Sequence, residues 1–110
     1  MRPAVFHSKA REILRGFSIE VRKAFGKAIL DLQKGHRLTM PLSRPMRSVA
    51  PGVEELRIKD TNGIYRAFYF VKAKSGILIF HSFTKKTQKT PQQEIEIGKK
   101  RLKEMLDEET

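Results

Sequence analysis

The stretch Glu55–Pro91 reads ELRIKD, TNG, IYRAFYFV, KAKSG, ILIFHSF, TKKTQKTP, and its three apolar runs decide the fold. Leu56 and Ile58 alternate with Arg57 and Lys59, the pattern of a strand with one covered face. Asn62-Gly63 is a strong hairpin dipeptide. Ile64 to Val71 is apolar on both faces except at Arg66, as expected of a central strand covered on both sides. Ser75-Gly76 marks a second turn before the run Ile77–Phe83. An antiparallel meander of three strands follows, with room for a fourth at Ala4–Phe6, where Pro3 favours an edge.

Upstream, residues 8 to 35 read as a helical hairpin. Ser8 is the expected cap of a first helix carrying Ala10, Ile13, Leu14 and Phe17. Ser18 caps a second with the one-sided stripe Val21, Phe25, Ala28, Ile29 and Leu32, closed by Gly35. Pro41, Pro45 and Pro51 keep the next segment from being helix or central strand, leaving a long connection that carries Arg37, Arg44 and Arg47. Downstream, Thr90 is the expected cap of a closing helix, with Pro91 as its first residue and Gln93 completing a capping box. Ile95, Leu102, Met105 and Leu106 form that helix's core side. The fold class is α+β: a small antiparallel sheet of three to four strands, an N-terminal helical hairpin on one face and a C-terminal helix, all in one domain over residues 1–110.

Charge narrows the function. The chain carries 23 Lys plus Arg against 12 Asp plus Glu, a formal net charge of +11, which favours a polyanionic partner. From Thr61 to Gln93, and again from Leu32 to Val53, there is no acidic residue. The positive field therefore belongs to the later strands and the long loop. There is no cysteine, and the three histidines at 7, 36 and 81 are scattered, so neither a metal nor another cofactor is expected. No apolar run approaches the length of a membrane span and no signal-peptide core opens the chain, so a cytoplasmic location away from membranes is expected.

Arg66 interrupts a strongly apolar strand and shares a face with Phe68 and Phe70. Two readings stand: a guanidinium at the rim of a concave face, open to an anion, or a cross-strand ion pair with Glu54, Glu55 or Asp60. The loop arginines are equally readable as anion ligands or solvated charge. His81 reads as a hydrogen-bonded structural residue or a ligand. Lys85, Lys86 and Lys89 lie before a helix N-terminus, a combination suited to phosphate. Catalytic triads, phosphate-binding glycine loops, His-Glu helix signatures and paired carboxylates in the basic region are all missing. What remains is cationic groups facing phosphate, enough to bind RNA and to stabilise the added charge when a 2′-hydroxyl attacks the adjacent phosphodiester.

MPLSRPM at Met40–Met46, VEELRI at Val53–Ile58, GIYRAFYF at Gly63–Phe70 and FTKKTQKTP at Phe83–Pro91 resemble the HigB-type branch of the RelE toxin superfamily, the group related to phage-derived toxin-like proteins. The resemblance spans nearly the whole chain. It implies a sheet with helices on one face and mRNA on the other. It implies metal-independent cleavage of ribosome-bound mRNA, without a cofactor. It also implies a HigA-like helix-turn-helix antitoxin, through which alone the toxin would meet operator DNA. Carried onto this chain, it assigns Arg66 to transition-state charge, Lys85 to phosphate binding or protonation of the leaving oxygen, and Arg57 and Lys86 to the RNA backbone. Lys89, Arg44, Arg47 and Lys59 complete the expected phosphate contacts. The chain departs from relatives that place a late tyrosine or histidine for proton transfer: its tyrosines, Tyr65 and Tyr69, are mid-strand. A non-catalytic nucleic-acid-binding module and a degenerate toxin acting as co-repressor are the alternatives.

Overall fold

A computed structural model describes residues 1–73, 76–85 and 89–108, with Lys85 in its backbone alone. The turn expected at Ser75 and the side chains of Lys85 and Lys86 lie outside the described residues. The elements run β1 (Ala4–Phe6), α1 (Ser8–Arg15), α2 (Ile19–Gln33), β2 (Ser43–Pro45), β3 (Val53–Asp60), β4 (Gly63–Lys72), β5 (Gly76–Lys85) and α3 (Gln92–Glu108). They form one sheet of five strands in the order β1-β5-β4-β3-β2.

The meander β3-β4-β5 is antiparallel as expected, and its first turn is held by Asp60, whose carboxylate accepts from the backbone N–H of Asn62 (2.7 Å) and Gly63 (3.1 Å). The two outer strands correct the sequence reading. β1 pairs parallel to β5, so the sheet is mixed. Gly76 allows this join: a Cβ there would lie 2.5 Å from the Pro3 carbonyl oxygen, which instead accepts from Ile77 N–H at 2.8 Å. The proline-rich connection contains an edge strand, β2, paired antiparallel with β3. Pro45 is tolerated because β2 has only one partner strand.

Ser18 caps α2 as expected, accepting from Val21 N–H, whereas α1 is capped by the His7 imidazole and not by Ser8. The stripe Val21, Phe25, Ala28, Ile29 and Leu32 packs on Leu56, Ala67, Tyr69, Ile77 and Ile79. A bulge between Phe68 and Tyr69 switches the alternation of β5: Leu78 and Phe80 face away from the hairpin, and past the bulge His81 and Phe83 do too. The resemblance implied that this second face is open. Instead α3 lies across it, seating Ile95, Leu102 and Met105 among Val53, Phe68, Leu78, Phe80 and Phe83. α3 has a large apolar side and the hairpin face is already filled, so this is the surface left to cover.

Candidate nucleic-acid interface

Strand alternation puts Glu55 and Arg57 of β3 on the α3 face, and register sets Arg57 directly opposite Arg66 of β4. β2 adds Arg44, the register partner of Glu55. Three guanidiniums thus converge on one carboxylate, which is fully buried. Glu55 Oε1 accepts from Arg44 Nε at 3.0 Å and lies 3.5 Å from Arg57 Nε. Its other oxygen accepts from the Thr90 hydroxyl at 2.7 Å. That hydroxyl in turn accepts from Arg44 Nη2 at 2.9 Å and Arg66 Nη1 at 3.2 Å.

Two expectations are corrected. Arg66 is not at a rim: it is 0 % exposed, and its guanidinium carbon stands 6.0 Å from the Phe83 ring centroid. Burial presses its pKa down, the charge of Glu55 opposes that, and Arg57 and Arg44 add to the downward pressure. Of the three acids considered as its counter-charge, Glu55 fills that place; Glu54 accepts from Ser43 and Asp60 serves the hairpin turn. Thr90, expected to cap the closing helix, gives its hydroxyl to this network. α3 begins at Gln92, and the Pro91 carbonyl accepts its first backbone bonds, from Glu94 and Ile95.

The network opens on one side to a groove of about 800 Å³ between the end of β2 and the start of α3, lined by Arg44, Met46, Ser48, Lys89, Thr90 and Gln92 among others. The Arg44 side chain is 27 % exposed there, against 8 % for Arg57. A smaller cleft of about 340 Å³, lined by Pro41, Leu42, Arg57 and Lys59, lies on another side of the same strands. Lys59 and Lys89 are exposed. Arg47, exposed on the turn after β2, does not line the groove. The backbone of Lys85 pairs with Ile64, itself the partner of Lys59, which places Lys85 at the same end of the sheet. Arg44, Arg57, Arg66, Lys59 and Lys89 are therefore gathered around one end of the α3 face.

Sequence reasoning named Glu55 only as one of three possible counter-charges for Arg66, and missed Thr90 as a member of this site. The signal for Glu55 was present: an acid two residues before Arg57 shares its face. Both tyrosines lie elsewhere, on the hairpin face, with Tyr69 bonded to Ser43 at 2.6 Å and Tyr65 edge-on to Phe17. His81 lies outside the network, buried beneath α3 between Glu94 and Arg101, each at 2.8 Å, and stacked on the Phe83 ring. Among the described residues no three His, Cys, Asp or Glu side chains are grouped to hold a metal ion, and no helix is long and apolar enough to cross a membrane.

This five-stranded α+β arrangement is the RelE-like fold. The chain superposes on the free state of an arginine-to-alanine double mutant of the E. coli toxin RelE with a TM-score of 0.60 at 14 % identity, covering 94 % of this chain and 97 % of that one. It superposes on the isolated E. coli RelE toxin with a TM-score of 0.55 at 19 % identity, covering 96 % and 99 %. Residues 12–103 match the family described as phage-derived protein Gp49-like (DUF891), and the chain belongs to that family. No curated protein matches it.

Proposed function

We propose that this protein is the toxin of a type II toxin–antitoxin pair, of the HigB-type branch, and that it is an endoribonuclease acting on mRNA engaged by the ribosome. The observation that carries the reading is the arginine cluster of β2, β3 and β4 beside an open groove, on a RelE-like fold with a net charge of +11. In the proposed reaction the 2′-oxygen of a ribose attacks the adjacent phosphorus and the bond from phosphorus to the 5′-oxygen breaks. The products are a 2′,3′-cyclic phosphate and a 5′-hydroxyl, with the 2′-hydroxyl proton passing to solvent water and one proton reaching the departing oxygen. Arg44, at the groove, meets a non-bridging oxygen, where negative charge grows in the transition state, and Arg57 adds its charge from the neighbouring cleft. Arg66, being buried, acts from behind them as a positioning residue and a source of field. Lys85 protonates the leaving oxygen; Lys86, Lys89, Lys59 and Arg47 hold the backbone on either side. The partner is a HigA-like helix-turn-helix antitoxin that covers the basic end and carries the toxin to operator DNA.

A second reading is favoured by one observation: with Arg66 fully buried, the cluster presents chiefly Arg44, which suffices for binding without cleavage. Purified protein mixed with a defined mRNA, with and without programmed ribosomes and with EDTA in the ribosome-free arm, separates the two. The expected result is a set of cuts, mapped by primer extension, that falls by about 10²-fold or more in Arg57→Ala and Lys85→Ala. Intact RNA in every arm from folded protein overturns the nuclease and leaves the binding module.

A further inference from the structure

Three guanidiniums within reach of one another repel, and nothing in strand alternation alone brings Arg44 to the other two. The Glu55 carboxylate and the Thr90 hydroxyl do so. Glu55 is the fixed counter-charge, giving the cluster a net charge of +2 (three arginines less one glutamate). Thr90 is saturated: it donates its one proton to Glu55 Oε2 and accepts from Arg44 Nη2 and Arg66 Nη1 on its two lone pairs. Thr90 also ends the basic segment and directly precedes Pro91 and α3, so the same hydroxyl ties those to the arginines.

We infer that Glu55 and Thr90 are positioning residues of the anion site: they fix Arg44 from two sides, at Nε and Nη2, so that its part-exposed guanidinium is presented to a phosphodiester of single-stranded RNA in the groove. The inference rests on the RNA-directed reading above and adds the residues that pre-organise it. A guanidinium held by two partners loses little freedom when the phosphate arrives, and its dipole need not be reoriented during reaction. Arg44 acts on the anion; Glu55 and Thr90 act through Arg44.

The test uses Thr90→Val, which keeps the shape and removes the hydroxyl, Thr90→Ser, which keeps the hydroxyl, Glu55→Gln, Arg44→Ala, and the double variant Arg44→Ala/Thr90→Val. The probe is a fluorescein-labelled RNA oligonucleotide with 2′-O-methyl groups throughout, so binding is read without cleavage, over a series of salt concentrations. Thr90→Val is expected to bind about 10–100-fold more weakly, and the slope of log affinity on log salt is expected to fall by about one phosphate contact, as in Arg44→Ala. Thr90→Ser retains the wild-type slope. The double variant is no worse than Arg44→Ala alone, because the hydroxyl then has nothing to position. Glu55→Gln behaves as Thr90→Val; should it not fold, the Thr90 pair decides. Wild-type affinity and slope in a folded Thr90→Val protein, or losses that add in the double variant, overturn the inference while leaving the RNA reading intact. A wild type that binds no RNA overturns the reading itself and the inference with it.

Discussion

The two faces of the sheet are built by opposite rules. On the hairpin face, α2 lays an unbroken apolar stripe over Leu56, Ala67, Tyr69, Ile77 and Ile79. On the α3 face the apolar seam of Phe68, Leu78, Phe80 and Phe83 is flanked by Glu55, Arg66, His81 and Thr90, all buried and all hydrogen-bonded or charge-paired. Buried ionic groups return little net stability, because desolvation cancels most of their attraction, but they have one well-satisfied arrangement and lose much when a partner goes. Function therefore belongs to the α3 face: the hairpin face supplies the stability that lets the other carry costly groups in fixed geometry.

The contrast is broken most forcefully from the hairpin side. Phe25→Ala, at a fully buried ring on α2, is expected to lower unfolding free energy by about 3–5 kcal/mol, read from urea midpoints. Arg44→Ala removes one partner of the buried Glu55 carboxylate, which keeps Thr90 and Arg57, and is expected to cost about 1.5–3 kcal/mol, less than Phe25→Ala, while reducing the salt slope of RNA binding. Comparable stability losses in the two variants would mean that the faces do not divide the labour in this way.

Sequence and structure agree where local pattern is enough. Helix α2 and the meander were legible, since a cap, a stripe, a strand alternation and Asn62-Gly63 each specify conformation within a few residues, whereas the expected helical hairpin was not, because α1 packs chiefly on β5 and not on α2. Long-range choices were not. Ala4–Phe6 is too short for its pattern to choose parallel or antiparallel pairing; that depends on Pro3 meeting Gly76. Arg44 sits on a strand that three prolines obscured. Alternation stated which face Arg66 occupies but not what covers it. The apolar positions of α3 held the clue, because a helix with Ile95, Leu102 and Met105 on one side needs a surface and the hairpin had taken the other. The site was half legible: Arg57, Arg66 and Lys89 stood out by charge, whereas Thr90 was disguised by its place before Pro91, which makes it look like an ordinary cap.

A smaller effect sharpens the account of how α3 is docked. Gly98 faces the sheet, and a Cβ there would sit 2.7 and 2.9 Å from two carbons of the Phe68 ring and 3.5 Å from Val49. Phe68 is fully buried among its neighbours and has little room to yield. Overpacking of this kind costs about 1–3 kcal/mol, against about 1 kcal/mol gained from Ala over Gly within a helix. Gly98→Ala is therefore expected to destabilise by about 1 kcal/mol in a urea titration. A stabilised variant would show that α3 rides loosely on the sheet, and the α3 face would then not hold its polar network in one geometry.

The smallest effect distinguishes the faces by pH. His81 is enclosed by Glu94 and Arg101 of α3, by His7 at the start of α1, and by the rings of Phe68 and Phe83. Arg101 donates to Nδ1, which leaves the proton on Nε2, donated to Glu94. A second proton would point an N–H at a guanidinium that has only donors. Burial lowers the His81 pKa, the bond to Glu94 opposes this, and Arg101 lowers it further. The unfolded chain, with an ordinary value of about 6.5, then takes up a proton before the folded protein does. Stability is therefore fully present above about pH 6.5 and declines as pH falls from there toward the lower folded value. Ser43 and Tyr69, the hydrogen-bonded polar pair of the hairpin face, do not change charge in that window. Urea midpoints at about pH 7.5 and 5.5 should fall more in the wild type than in His81→Asn, whose amide oxygen still accepts from Arg101 and does not titrate. Equal falls would mean that the buried imidazole imposes no proton-linked cost, and that the α3 face tolerates a charge there as readily as solvent does.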